Sequence, residues 1–448
     1  MTDNLNINAG LLLPEDMELA KSALEIALKE GASKARANLS CSVMDLVATL
    51  NGQVDKVTHS FDRSLTMYIY ADGRYGTFST NRVSADSLTE FIRKGLETVR
   101  ALSPDPCRDL PDISRTALDA GTGLELGLWD QERNDMDPQR RRAIALGASI
   151  WPKEGLISEE GEYSDSVSDL YLVDTQGLEC RQIETSFEYG VEVTVQDAAG
   201  NRYSGYWWDS NPKLENLNAD ECGPAALKRA MAQFNPQDFP VGRYNMVVEN
   251  EVAGRLLTPV LNALNGSAIQ QQNSFLADSL GKKVFPDNLT VIDCAREEGR
   301  SGSRLFDSEG VATSNSIIIG HGVVEEFFVT TYIAAKTGLK PTVDDCSRPK
   351  VMPTMRGGKR EIMDRLSDGI LVTGFNGGNS NPTTGRFSFG VEGFLFKNGK
   401  ILHPVREAVI TGDLVTLWNN LTAAGSDYRR CSSRQVPTLA FKDVDFSA

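Results

Sequence analysis

The sequence predicts an α+β protein of several domains, with antiparallel-rich sheets flanked by helices. Segments of helical apolar spacing are interspersed with strand-like runs, and in the middle segment the connections between those runs are too short for helical crossovers. Asp72-Gly73 and Asn398-Gly399 each sit between two such runs, the strongest short-range signal for a hairpin. With 448 residues, 40% of them apolar, the chain is long enough for about three domains of ~150 residues each. Composition divides it into 1–110, an N-terminal α/β segment; 111–236, a middle antiparallel-sheet segment; and 237–448, a C-terminal mixed domain.

Each element has its own warrant. Pro14, Glu15 and Asp16 suit a first helical turn, and Leu19, Ala23, Ile26 and Ala27 follow at helical spacing before Gly31 stops the helix. From Ser42 to Thr80 the pattern becomes short alternating stretches, with Asp72-Gly73 turning a hairpin between MYIYA and RYGTF. Ser84 can cap a second helix whose buried stripe is Leu88, Phe91, Ile92, Leu96 and Val99. Between Ala101 and Asp119 proline and acidic residues discourage both helix and central strand, which marks the first boundary.

The middle segment reads as a helix over 138–147 and strands at 166–174, 178–187, 190–196 and 202–208, with Trp207 and Trp208 on opposite faces. A helix over 223–234 leads to a second boundary at NPQDFP, 235–240. The last segment begins with a strand at 244–249 and a helix at 253–264. Further strands are expected around Val291 and Ile317, at 323–328 and 387–396, and at 401–405 after Asn398-Gly399. No self-similar repeat or low-complexity tract interrupts this order.

Charge and cysteine usage narrow the function. A net charge of -15 disfavours a phosphate-binding face, so direct nucleic-acid binding is not expected, and Arg140, Arg141 and Arg142 read as a solvated helix face. The start MTDNLNINAG lacks a signal-peptide pattern and no apolar run approaches a membrane span, so a cytoplasmic, non-membrane protein is expected. Seven cysteines, odd in number, widely spaced and without CxxC, fit neither a disulfide framework nor a zinc ribbon.

The histidines are more telling. There are three, His59, His321 and His403, and no two are close enough to form a helical metal-ligand pair. His321 lies between glycines and reads as an exposed turn; His403 precedes Pro404 and reads as extended backbone. The glycine-rich stretch from Gly374 to Gly393 matches neither GxxxxGK[ST] nor GxGxxG, so its glycines are expected to serve turns and close strand approach.

Three C-terminal segments carry a family resemblance: Gln271 to Asp293 (QQNSFLADSLGKKVFPDNLTVID), Gly302 to Thr313 (GSRLFDSEGVAT), and Thr384 to Asp413 (TGRFSFGVEGFLFKNGKILHPVREAVITGD). On these the chain resembles the TldD/PmbA family, in the TldE/PmbA-like branch labelled modulator of DNA gyrase. One branch of that family resembles a zinc peptidase with HExxxH on a helix, and this sequence sits with the branch that lacks it. Alignment puts Thr258, Pro259 and Ala263 about where the first His, the Glu and the second His would stand, and none of the three ligates zinc as the motif requires. Pro259 would further need a first-turn position.

The resemblance implies several site residues. Cys431, following GSDYRR, falls where the catalytic branch has a late cysteine near the metal; it is either a structural remnant or a nucleophile, and a nucleophile would need a base such as His321 or His403. Arg304 and Asp307 fall where charged residues border the family's central cleft, with a structural Arg–Asp pairing as the other reading, and Thr384 and Gly385 would lie beside a peptide-binding groove. The implied function is an accessory subunit that binds no cofactor itself and pairs with a TldD-like metallopeptidase carrying the zinc, in proteolysis of small unfolded peptides by a homo- or hetero-oligomer. Alternatives are a stand-alone regulatory or peptide-binding protein and a Cys-dependent hydrolase.

Overall fold

The computed structural model describes residues 9–447. The chain forms two compact units: one of the chain up to Met231 with Arg296–Thr313, the other of Ala232–Ala295 with the chain from Ser314 onward. Both combine helices with antiparallel-rich sheets, as the sequence predicts.

The first unit contains α1 (Pro14–Lys29), β1 (Lys34–Leu50), β2 (Gln53–Ala71), β3 (Arg74–Thr80), α2 (Ala85–Ala101), α3 (Pro138–Gly147), β4 (Leu156–Asp174), β5 (Glu179–Gln196), β6 (Arg202–Asn211) and α4 (Ala219–Ala232). Its strands make one antiparallel sheet in the order β3-β2-β1-β4-β5-β6. The Pro-rich stretch after α2 therefore links two halves of a single sheet, with β1 paired to β4 from Arg36 to Leu50.

Strand lengths exceed the sequence expectation for a local reason. Asp72-Gly73 turns β2 into β3 with φ of 53° and 69°, as expected, but Asn51-Gly52, with φ of 50° and 71°, turns β1 into β2 in the same way. The run expected from Ser42 thus begins at Lys34 and forms two long strands and a short one. The strands expected at 178–187 and 190–196 are the single strand β5. Gly190 stays in the ladder opposite Trp208, and a Cβ there would lie 2.7 Å from the Tyr206 hydroxyl, so this glycine allows close packing instead of breaking the strand.

One sheet face buries Leu39, Leu65, Met67 and Ile69 against Ala23 and Leu24 of α1 and Leu88, Ile92, Leu96 and Val99 of α2. Ser84 has the extended backbone of an N-cap, but its hydroxyl meets the Ser87 hydroxyl at 2.9 Å and bonds no helix N–H. The other face, at Leu172 and Cys180, packs against Leu305 and Phe306. The arginine run is not uniformly solvated. Arg141 and Arg133 hold the buried Asp165 at 2.7 and 2.6 Å, and both also reach Asp45, at 3.0 and 2.8 Å.

The second unit contains β7 (Gly242–Val248), α5 (Gly254–Ala263), α6 (Gly266–Gln270), β8 (Val291–Asp293), β9 (Ser316–Gly320), β10 (Val323–Val324), α7 (Thr331–Thr337), β11 (Pro349–Val351), α8 (Lys359–Leu366), β12 (Gly369–Phe375), β13 (Asn379–Ser380), β14 (Arg386–Lys397), β15 (Lys400–Asp413), α9 (Leu414–Asn419), β16 (Leu421–Ala424) and β17 (Leu439–Ser447). Strand pairing closes on itself: β7 pairs with β12, β12 with β14, β14 with β15, β15 with β17, and β17 with β7. Only β7–β12 is parallel in this ring. A four-stranded sheet, β10-β9-β8-β11, stands beside it. Alternate residues serve two cores: Met246, Val248, Ile370 and Val372 pack with Leu256, Leu257 and Val260 of α5, while Val247, Leu371 and Ala440 pack with Ile362 and Met363 of α8.

Asn398-Gly399 makes the expected turn, with φ of 50° and 70°. The strand after it runs to Asp413 and not Val405, and that expected over 323–328 is the two-residue β10, because Phe327 and Phe328 leave the ladder to fill the core. Among the described residues no helix is long and apolar enough to cross a membrane.

Two measurements test this packing. Asp165→Ala leaves two arginines buried without their main counter-charge and is expected to cost about 3–5 kcal/mol, read as a lowered denaturation midpoint. Burial pushes the Glu184 carboxyl up from 4.5 to about 7. The folded chain therefore holds the extra proton across that window, and stability falls as pH rises through it. Glu184→Gln is expected to flatten that fall and to raise stability by on the order of 1–2 kcal/mol at pH 8, measured by thermal melts at pH 5 and pH 8.

Candidate functional site

Strand pairing positions the site. β17 runs antiparallel to β7, with Leu439 opposite Val248, so the loop entering β17 lies beside the residues that leave β7 and lead into α5. That loop is closed by Asp427, whose carboxylate accepts from the Thr438 N–H at 3.0 Å and the Thr438 hydroxyl at 2.6 Å. The Asn250 amide donates to the Asp427 carbonyl. Gln435 exchanges main-chain bonds with Pro349 and Val351, and its side chain donates to the Arg429 carbonyl at 3.0 Å. The Tyr428 hydroxyl donates to the Val351 carbonyl at 2.7 Å.

Within this frame Arg429 points one end of its guanidinium at Glu251, at 2.8 Å, and the other at Cys431, whose sulfur lies 3.3 Å from Nε and 3.1 Å from Nη2. The sulfur is buried. Glu249, two residues before Glu251, is held by Lys359 at 2.6 Å. Two carboxylates thus flank the entry to α5, each matched by a cation. A guanidinium beside a sulfur suits a thiolate, but here the same group also serves Glu251. The histidines that could act as bases face main-chain carbonyls, His321 Nδ1 that of Asp287 at 3.2 Å and His403 Nδ1 that of Pro404 at 3.0 Å.

The helix that aligns with HExxxH is α5. Thr258 donates its hydroxyl to the Gly254 carbonyl at 2.9 Å. Pro259 lies inside the helix and not in its first turn, where its ring removes the N–H that would bond Arg255. A family zinc site needs two imidazoles one turn apart and a carboxylate beside them. Thr258, Pro259 and Ala263 supply a hydroxyl, a ring and a methyl. Among the described residues no three His, Cys, Asp or Glu side chains are grouped to hold a metal ion. The residues of this helix do not fit zinc.

The other expected site residues fall in ordered turns. In the first unit, the buried Asp307 carboxylate accepts the N–H groups of Glu309 and Val311, both at 2.9 Å, and so holds the turn containing Gly310. The Arg304 carbonyl accepts the Thr313 hydroxyl in the same loop. In the second unit, the Asn381 side chain accepts the N–H groups of Thr383 and Thr384 at 2.9 and 3.0 Å. Gly385 is buried at φ 72°, and a Cβ there would lie 3.1 Å from the Phe275 ring, which explains the glycine. Thr384 is exposed, and His321 occupies the exposed turn expected of it, at φ 48°.

Sequence reasoning missed Glu249, Glu251 and Arg429. Their one visible signal is charge placed directly after an apolar strand and directly before Cys431; which cation meets which carboxylate depends on the β7–β17 pairing.

Residues 241–448 match the PmbA/TldA metallopeptidase C-terminal domain, 134–234 its central domain and 45–99 its domain 1. The chain is 27% identical to a Metalloprotease PmbA homolog of Haemophilus influenzae, over 98% of each chain, and 26% identical to Metalloprotease PmbA of Escherichia coli O157:H7, over 95% of each. It superposes on a candidate modulator of DNA gyrase from Bacteroides thetaiotaomicron with a TM-score of 0.93 and 36% identity, covering 98% of this chain and 100% of the other. The fold is also that of TldE from Thermococcus kodakarensis, with a TM-score of 0.82 at 16% identity, covering 96% of this chain and 100% of the other. Domain matches, relatives and structures agree that this chain belongs to the TldD/PmbA family.

Proposed function

We propose that this chain is the accessory, TldE-like subunit of a cytoplasmic peptidase complex, in which a TldD-like metallopeptidase supplies the zinc and this chain helps hold small, unfolded peptides. The observation that carries the reading is α5, which has Thr258, Pro259 and Ala263 where the catalytic branch of the family has its ligands and base. The metalloprotease names of the PmbA relatives support the reaction class, and their PmbA name supports the branch. Extended peptide bound through its main chain gains affinity with little sequence preference, which suits a processing complex. Activation of water at the peptide carbonyl then belongs to the partner.

In this reading Cys431 is a structural residue. Its thiol completes the surroundings of an arginine whose main task is to neutralise Glu251 at the entry to α5. The hydrolase alternative assigns it nucleophilic attack, and the two readings differ in what its removal does.

A tagged copy recovered from its own cytosol is expected to bring down an HExxxH-bearing homologue in near-equal amount, with the zinc in that homologue. Stoichiometric zinc in this chain purified alone would refute the accessory role. Arg429→Ala removes the Arg429–Glu251 ion pair and is expected to cost about 3 kcal/mol in chemical denaturation, whereas Cys431→Ala is expected to cost about 1 kcal/mol and to leave recovery of the partner unchanged. Peptidase activity in the purified chain that disappears in Cys431→Ala would establish the hydrolase reading instead.

A further inference from the structure

The sheet face of the first unit that packs against Leu305 and Phe306 at Leu172 and Cys180 is open further along the same strands. Pairing sets Leu50, Glu160, Glu192 and Tyr206 in one row across β1, β4, β5 and β6. Leu50 is 41% and Tyr206 50% exposed. Beside this row lie Glu162, opposite Gly190, and then Glu188, opposite Ser164. Alternation along each strand puts all four glutamates on this one face. They are exposed, and among the described residues no cation or hydrogen-bond donor holds any of them.

These charges oppose one another. Glu160 and Glu192 are directly opposite, where like charges repel, and Glu162 lies diagonal to both Glu188 and Glu192. Partial desolvation, and after it the charge of Glu162, raises the Glu188 pKa. On the other face of β4 arginines match Asp165 and Asp169, but this face has no such match. Register places Lys56 two strands from Glu162 and Arg202 opposite Gln196, beyond the end of the cluster. A cation arriving from outside relieves the repulsion.

The spacing selects the cation. Among the described residues no three His, Cys, Asp or Glu side chains are grouped to hold a metal ion, so the carboxylates suit separate charges. Along β4, Glu160 and Glu162 stand roughly 6.8 Å apart, the interval at which an extended peptide repeats its side chains on one face. Across to β5 the interval is about 4.8 Å, so one basic group can meet Glu160 and Glu192 together. Leu50 and Tyr206, at the ends of the row, suit the methylene stem of a lysine or arginine, and the tyrosine ring adds a cation–π contact.

We propose that this face of the first unit's sheet is a docking surface for extended basic peptides, whose lysine or arginine residues at every second position reach the Glu160, Glu162, Glu188 and Glu192 carboxylates. The inference rests on the reading of the chain as a peptide-holding subunit and adds the charge of the peptides it holds.

The test is fluorescence anisotropy of labelled peptides of about ten residues, alternating Lys-Ser, Gln-Ser or Glu-Ser, with the purified full-length chain at low salt. The Lys-Ser peptide is expected to bind about tenfold more tightly than the other two and to weaken as salt rises. E160Q/E192Q is expected to weaken it about fivefold. E25Q/E97Q, which removes the same charge from exposed sites on the helices of the opposite face, is expected to leave it unchanged. Circular dichroism melts check folding, and relief of the Glu160–Glu192 repulsion is expected to leave the E160Q/E192Q midpoint at or above that of wild type. Equal binding of the three peptides overturns the inference and leaves the peptide-holding reading standing, whereas binding of none overturns that reading with it. A Lys-Ser preference that survives E160Q/E192Q, or falls equally in E25Q/E97Q, also overturns the proposal. So does spermine competing as effectively as the peptide, the mark of a site for small polyamines.

Discussion

The pairing of β17 with β7 is the constraint on which the second unit depends. It joins the last strand of the chain to one about two hundred residues earlier, as the Arg243–Asp445 ion pair across it illustrates. Closing so long a loop costs chain entropy, which must be offset by the ladder and by the Val248, Leu439 and Phe441 packing formed with it. Through β17 the ring of five strands is complete, with no open edge at that seam. The same pairing brings the Cys431 loop to the start of α5, and without it Arg429 has no route to Glu251.

An acidic chain must also dispose of the carboxylates it buries. It does so mainly with arginine or with main-chain N–H groups, while Glu249 takes Lys359. Asp165 takes Arg133 and Arg141; Asp169 takes Arg181 and the N–H groups of Leu11 and Leu12; Asp293 takes the N–H groups of Ser347 and Arg348; Glu251 takes Arg429. Arginine suits the task because its planar fork meets two acceptors at once while remaining charged when desolvated. These pairs specify geometry more than they add stability, since removing either member is costly while forming the pair returns little beyond its desolvation. The arrangement around Cys431 belongs to this pattern, which is why its guanidinium is read first as a structural cation.

The sequence by itself determined the elements whose cause is local. The α1 and α2 stripes, the Asp72-Gly73 and Asn398-Gly399 hairpins and the family segments all follow from spacing, positive-φ dipeptides and residue identity. So does the absence of ligand side chains on α5, because no folding can supply a histidine that the window lacks. Tertiary structure decided what depends on partners distant in the chain. Gly190 became a strand residue because Tyr206 packs over it, Arg141 became buried because Asp165 awaits it, and β12 and β17 became strands because the ring needs them, although an uninterrupted apolar run such as GILVTGF carries no period that distinguishes strand from helix. The neighbours of Cys431 were likewise invisible, because a guanidinium in the same short loop and a carboxylate far earlier in the chain meet only once the strands beside them have paired.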